Sequence, residues 1–288
     1  MPKPKILVTG AGGQLAKSIA DVAPVYSGLE FVFLTKADMP IDDHAKVEAV
    51  FEAVQPQFCI NCAAYTAVDK AESDKESAFL INAESVKALA KTCAGRQSKL
   101  LHISTDYVFN GSSAVPYKES DPVDPVNIYG ASKAKGEVWA IAYDPETIII
   151  RTAWVYSEHG NNFVKTMIRL MKEKEQLNIV DDQVGAPTYA PDLAHAIMKM
   201  ISSVHWLPGI YHYCNEGRIS WYDFALTIKE LTGANCLLHP VPTTAYPTPA
   251  KRPAYSLLDT SKIREKYGVN IPLWKESLKK CIHNLQQG

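Results

Sequence analysis

Two hydrophobic patterns alternate along the first half of the chain. Short, β-branched apolar runs at 5–9, 30–34, 58–62, 100–104 and 147–151 suit strands buried on both faces. Between them, Leu15/Ile19/Val22, Val47/Val50/Phe51/Val54 and Val86/Leu89/Ala90 recur at the spacing of one helix face. Strands separated, for the most part, by helices make βαβ units. The pattern therefore predicts an α/β fold, a doubly wound, Rossmann-like parallel sheet.

After Arg151 the rhythm loosens. Helices are predicted over 163–174 and about 191–201, with a short strand over 177–180 between them. Ser220-Trp-Tyr-Asp223 has the spacing of a capping box and opens a helix to Leu231. Prolines at 240, 242, 247, 249 and 253 predict loop throughout 239–253, because proline cannot donate to a helix or a sheet ladder. The expected organisation is a dinucleotide-binding domain over 1–155 and a smaller C-terminal substrate-binding lobe over 156–288. Part of 177–202 is expected to pack back on the first domain.

Composition narrows the function classes. With 47% hydrophobic and 21% charged residues, the chain can bury a core rather than remain disordered. A net charge of -1 supplies no basic footprint, so nucleic acid is excluded as a partner. No run approaches the ~18 apolar residues of a membrane span, and only four apolar-leaning residues separate Lys5 from Gly10, too few for a signal peptide. A cytoplasmic protein that does not enter a membrane is expected. Six scattered cysteines fit reduced thiols. Cys59 and Cys62 form a C-x-x-C, but residues three apart on a strand face opposite ways, which favours a structural role over a redox or zinc pair.

Between the first strand and the first helix lies Gly10-Ala-Gly-Gly13-Gln-Leu-Ala16. Glycines there allow a tight turn and the approach of a pyrophosphate to the positive end of the helix. An acid ending the second strand would hold a ribose 2′-hydroxyl and select NADH; Leu34-Thr35-Lys36 offers a cation instead. NADPH is expected, with NADH still possible. Further on, Tyr129 and Lys133 stand four apart at the start of a helical stretch, hence on one face. A cation near a phenol lowers its pKa toward the range of a working acid. Thr105 follows the fourth strand, beyond whose carboxyl end ligands of doubly wound sheets bind.

The glycine turn, Ser104-Thr105-Asp106 and Tyr129-x-x-x-Lys133 together resemble the extended short-chain dehydrogenase/reductases. Within them the chain is most similar to the dTDP-4-dehydrorhamnose reductases. Asn61-Cys-Ala-Ala-Tyr-Thr-Ala-Val-Asp-Lys-Ala-Glu72, Arg151-Thr-Ala-Trp-Val-Tyr156, Gly160-Asn-Asn-Phe163, Asp182-Gln-Val-Gly-Ala-Pro-Thr188 and Val241-Pro-Thr-Thr-Ala-Tyr-Pro-Thr-Pro-Ala250 carry the resemblance along nearly the whole chain.

The resemblance implies that NADPH reduces the C4 ketone of dTDP-4-dehydro-L-rhamnose, a dTDP-sugar, while Tyr129 protonates the oxygen. It implies that Thr105 orients that oxygen and that Lys133 binds the ribose and lowers the tyrosine pKa. Val68, Thr105, Asp106 and Trp154 match sugar-site positions. Gly10, Gly13, Gln14, Leu15, Ala64, Tyr65, Thr66 and Ile103 match positions around the cofactor, together with Tyr129 and Lys133. Asn162, Gln183 and Arg252 are either nucleotide or pyrophosphate contacts or solvated loop residues.

The chain also departs from the family. Pro40-Ile-Asp-Asp43 stands where many members carry Asp-Ile-Thr-Asp, which leaves Ile41 to pack on the adenine ring. Ser18 and Pro191 match the places where some members hold magnesium through glutamates at a dimer contact; no metal is expected, and a homodimer stays open. Two rivals share the fold. One is a nucleotide-sugar epimerase or dehydratase, of which the dehydratases need a glutamate where Tyr107 stands; the other is a non-catalytic NADP-binding regulatory subunit, against which the retained Thr105, Tyr129 and Lys133 argue.

Overall fold

The computed structural model describes residues 2–287. Six parallel strands form the central sheet, in the order β10-β5-β4-β3-β1-β2. The strands and helices of the first half are β1 (Lys5–Thr9), α1 (Gln14–Val22), β2 (Glu30–Leu34), α2 (His44–Val54), β3 (Phe58–Asn61), α3 (Val68–Ala71), α4 (Lys75–Phe79), α5 (Ser85–Gly95), β4 (Lys99–Thr105), α6 (Ile128–Tyr143) and β5 (Ile148–Thr152). The second half adds β6 (Val155–Tyr156), α7 (Phe163–Glu173), β7 (Gln176–Val180), β8 (Val184–Gly185), β9 (Thr188–Tyr189), α8 (Ala190–Ile201) and β10 (Gly209–Tyr213). It ends with β11 (Ile219–Ser220), α9 (Trp221–Thr232), β12 (Leu237–Val241), α10 (Ser261–Tyr267) and α11 (Trp274–Gln287).

Alternation along each strand divides the core in two. Ile6, Val8, Ile60, Leu101, Ile148 and Ile150 pack beneath α1 and α8. Leu7, Cys59, Leu100 and Ile149 point the other way, toward α2 and α5. Cys59 is thus sealed on one face, while Cys62 lies past the end of β3. A third apolar cluster joins α7, α9 and α11 beside the sheet. Among the described residues, no helix is long and apolar enough to cross a membrane.

The capping box is present: Ser220 accepts from the Asp223 amide and Asp223 from that of Ser220. Several elements were not anticipated, α10 and α11 among them, and two of the differences concern strand pairing. The sixth strand, β10, was not anticipated; it is an edge strand, paired in the sheet only with β5, and its five residues carry little local pattern. The stretch 239–253 is not all loop, because β12 pairs in parallel with β7 and sets Pro240 opposite Ile179. That sheet has two strands, so the proline sits on an edge where its missing N–H costs no ladder bond.

Helix α6 is anchored by two buried arrangements. Between α4 and α5 the backbone widens into a π-turn over Leu80–Glu84, held by a hydrogen bond from Ser85 Oγ to Leu80 O. Asn82, inside that turn, accepts from Tyr65 N at 2.9 Å and donates to Tyr65 O and Ser132 Oγ at 3.0 Å each. Gly136 allows the approach, since a Cβ there would lie 2.1 Å from Asn82 O. Glu137, one turn beyond Lys133, is paired with Arg151 at 2.6 Å and accepts from Ser104 Oγ at 2.5 Å. Both charges are buried, so these bonds offset their desolvation and fix α6 against β4 and β5.

Candidate active site

Thr9, Asn61, Thr105 and Thr152 mark the carboxyl ends of four neighbouring strands, and a trough runs along that rim. Its inner part is a cavity of about 620 Å³; a recess of about 400 Å³ adjoins it and shares Gly12, Gly13, Cys62, Ala64 and Thr66. The glycines divide the work. Gly10 has φ +66°, and a Cβ there would lie 2.8 Å from Ala63 N, so it permits the close approach of β1 to the end of β3. Gly12, which the sequence reading did not single out, has nothing within 4 Å of a Cβ and faces the trough. Helix α1 then starts at Gln14 with no side-chain cap and no acid in its first turn, leaving its amides for an anion.

Of the expected cofactor residues, Gly13, Gln14, Leu15, Ala64, Thr66, Ile103, Tyr129 and Lys133 line the inner cavity. Gly10, Ile41 and Tyr65 line the recess instead, where Met39, Ile41 and Ile81 make an apolar slot. The open Gly12, the uncapped helix and this slot fit a dinucleotide. Gln14 has a second duty. Its Oε1 accepts from Ser157 Oγ at 3.2 Å and Asn162 Nδ2 at 2.8 Å, tying the glycine turn to the start of α7.

Tyr129 lies in the first turn of α6, fixed by two caps: Asn127 accepts from Gly130 N at 2.7 Å and Glu72 from Ile128 N at 2.8 Å. Burial pushes its phenol up to about 12; a hydrogen bond with Thr105 works against this, and the charge of Asp106 adds to it. The lowering expected from Lys133 is not seen. Lys133 is turned to the end of β4, donating to Ile103 O at 2.6 Å, and burial lowers its own pKa to about 8. Tyr129 is therefore a protonated phenol at neutral pH, which is the form a proton donor requires.

Asp106 follows Thr105, whose hydroxyl donates to Asp106 Oδ1 at 3.0 Å. Its other oxygen, Oδ2, is buried with no hydrogen-bond partner. Burial raises its pKa to about 6, held back by hydroxyl contacts. An acceptor of this kind beside a cavity calls for a ligand hydroxyl. Val68 and Trp154 complete the expected sugar wall. Trp154 adopts φ +48°, a left-handed backbone, and stacks on Trp221 with ring centroids 3.6 Å apart. Tyr107 packs edge-on against Tyr129 at 5.7 Å.

Trp221 was missed by sequence reasoning, and it is shared by two cavities. Its other side faces a second cavity of about 560 Å³, lined by Phe163 and Met167 of α7, Leu177 and Ile179 of β7, Gln183 and Arg252. Arg252 makes a two-pronged ion pair with Asp69 at 2.8 and 3.0 Å, so 252 is drawn against α3. Gln183 donates to Thr243 Oγ1 at 3.0 Å. Asn162 lines neither cavity; its Oδ1 caps α7 at Lys165 N and its amide nitrogen serves Gln14 and Ser157 O. A capping residue ahead of Trp221 was the only sequence signal for Trp221 itself, and it reports the helix rather than the cavity.

Comparison with known proteins agrees with this geometry. The family described as "RmlD substrate binding domain" matches residues 4–287. A dTDP-4-dehydrorhamnose reductase of Aggregatibacter actinomycetemcomitans is 42% identical over 285 residues, covering 96% of this chain and 97% of that protein. The spore coat polysaccharide biosynthesis protein SpsK of Bacillus subtilis is 44% identical, with 96% of each chain covered. A dTDP-4-dehydrorhamnose reductase of Bacillus anthracis, solved in complex with NADP, superposes with a TM-score of 0.94 at 37% identity, covering 98% of this chain and all of that one.

Proposed function

Because the chain belongs to the RmlD substrate binding domain family, we propose that it reduces the C4 ketone of dTDP-4-dehydro-L-rhamnose to the alcohol with NADPH. The observation that carries the reading is the meeting of Tyr129, Thr105 and the buried, unpartnered Asp106 Oδ2 beside a trough that fits a dinucleotide.

When bound, NADPH supplies the hydride. Gly12 and the first amides of α1 would hold its pyrophosphate, the apolar slot at Met39 and Ile41 its adenine, and Lys133 the ribose on the nicotinamide side. Tyr129 donates the proton from its phenol oxygen to the ketone oxygen as that oxygen gains electrons. Thr105 lies beside the phenol and orients the carbonyl next to it. Asp106 Oδ2 accepts from a sugar hydroxyl and so fixes which face of the ring meets the hydride donor. Val68, Trp154 and Trp221 exclude water from that end. The second cavity, with an aromatic wall and Arg252 at its edge, receives the nucleotide part of the substrate.

The test is consumption of NADPH, followed at the reduced-nicotinamide absorbance, on mixing with enzymatically generated dTDP-4-dehydro-L-rhamnose. Tyr129→Phe should lower kcat by about 10³-fold, the middle of the range for a lost general acid, with NADPH affinity unchanged. Full turnover in that variant, or none in the wild type despite NADPH binding, rejects the assignment.

A further inference from the structure

Behind Lys133, among residues that do not line the cavity, a buried hydrogen-bonded chain runs from Thr9 through Asn61 to His102. Ala63 fixes its direction. The Ala63 backbone N–H lies 3.1 Å from Thr9 Oγ1 and 3.3 Å from Asn61 Oδ1, and Thr9 Oγ1 lies 2.6 Å from that same Oδ1. A backbone N–H only donates, so Asn61 Oδ1 is the accepting end of the amide. Asn61 Nδ2 is left facing His102 Nδ1 at 3.0 Å, and an amide nitrogen also only donates. His102 Nδ1 must therefore carry the lone pair. In the neutral ring the proton then sits on Nε2, which meets Lys133 Nζ at 3.3 Å.

An N–H facing an ammonium sets donor against donor; an N–H facing an amine is a hydrogen bond. Burial and the charge of Lys133 hold His102 well below its ordinary pKa, so the neutral ring is the form in place. The other groups facing the pair do not relieve the conflict. Glu137 is committed to Arg151 and Ser104, and the Cys62 thiol at the end of β3 is kept protonated by burial. Tyr129, on the same face of α6, is a protonated phenol.

We propose that His102 is a positioning residue that acts through Lys133: its Nε2–H favours the uncharged amine against β4 and turns the charged amine toward the cavity. Charge and direction of Lys133 are thereby linked. The uncharged amine accepts from His102 while donating to Ile103 O; the ammonium must give up the first contact and seek acceptors in the trough, which Lys133 lines. The pKa of Lys133, brought down to about 8, is in keeping with a group that exchanges between the two near neutral pH. The inference rests on reading Lys133 as a cofactor-site lysine. Its test needs neither cofactor nor substrate, so the two can fail separately.

Two-bond nitrogen correlation spectra of the full chain, labelled with ¹⁵N-histidine, read which ring nitrogen of His102 carries the proton. Nε2 is expected; a proton on Nδ1 with Nε2 bare overturns the proposal. In Asn61→Asp the carboxylate would accept from Nδ1, move the proton there and leave Nε2 to accept from the ammonium. The titration midpoint of Lys133, followed by ¹⁵N-lysine labelling, should then rise by about one unit or more. A flipped ring with an unmoved midpoint also overturns it. If Asn61→Asp does not fold, the wild-type tautomer decides alone.

Discussion

The inner trough and the second cavity share the ring of Trp221, yet they are built on opposite principles. Every reacting group of the trough stands at the end of a parallel strand or in the first turn of a helix, where backbone hydrogen bonds and buried caps leave it little freedom. Tyr129 is held by Asn127 and Glu72, Thr105 by β4, and α6 itself by Asn82 and the Glu137–Arg151 pair. The second cavity is assembled from α7, β7, the start of α9 and the proline-rich segment after β12, pieces joined by side-chain packing, a two-stranded sheet and a few side-chain bonds. A reduction demands fixed positions for a proton and a hydride. Recognition of a nucleotide can be met by apolar walls with a few polar points. The difference predicts that changes in the trough act on turnover and cofactor, whereas changes in the second cavity act on substrate affinity.

The largest effect, after loss of Tyr129, is expected at Asp106. Its carboxyl is raised from the ordinary value to about 6, so it gains its charge, and its full strength as an acceptor, only above that pH. The kcat/KM profile should fall as pH drops through about 6, because the protonated carboxyl accepts a hydroxyl more weakly. Asp106→Asn should flatten that limb and cost about 10- to 100-fold at pH 8, the worth of a hydrogen bond to a charged group. A limb that survives in the variant belongs to some other group, and the trough would then be less self-contained than the comparison supposes.

Trp221→Ala probes the shared wall from the other side. Removing the ring exposes Trp154 and opens one cavity into the other. The KM for the dTDP-sugar should rise about tenfold, in line with an aromatic pair plus lost buried area, while kcat changes little. A drop in kcat with KM unmoved would mean that Trp221 positions the reacting sugar and that the two regions are one site.

The same contrast governs what could be read from the chain alone. The glycine turn, Thr105 and the Tyr129/Lys133 pair are local patterns attached to strands and helices of clear periodicity, and they surfaced at once. Trp221 did not, because its meaning depends on Trp154, Phe163 and Arg252, which lie between 31 and 67 residues away in the chain. Strand β10 was missed because an edge strand of five residues is specified by the neighbour it pairs with. Pro240 pointed away from a strand that exists because only one of its edges is paired. Even Lys133 was legible by position and not by behaviour: its contact with His102 joins the fourth strand to α6 and appears only on folding.

The smallest expected effect lies at the outer end of the trough. At the end of β2, Asp38 Oδ2 accepts from Thr35 N at 2.9 Å and Thr35 Oγ1 at 2.6 Å, and these bonds hold its carboxyl below the usual range. That acid is thereby occupied with Thr35, which leaves the ammonium of Lys36, together with the carboxylate of Asp42, to border the recess. A cation at this rim favours a 2′-phosphate over a 2′-hydroxyl. Lys36 is exposed, so solvent screens the contact and the gain is of the order of an exposed ion pair. Reversing the charge with Lys36→Glu should lower the ratio of kcat/KM for NADPH to that for NADH by about three- to tenfold. The KM for the dTDP-sugar should not move, since residue 36 borders only the recess among the cavities described. A change in sugar KM without a change in cofactor ratio would break the division between cofactor trough and substrate cavity at the point where it costs the protein least to maintain it.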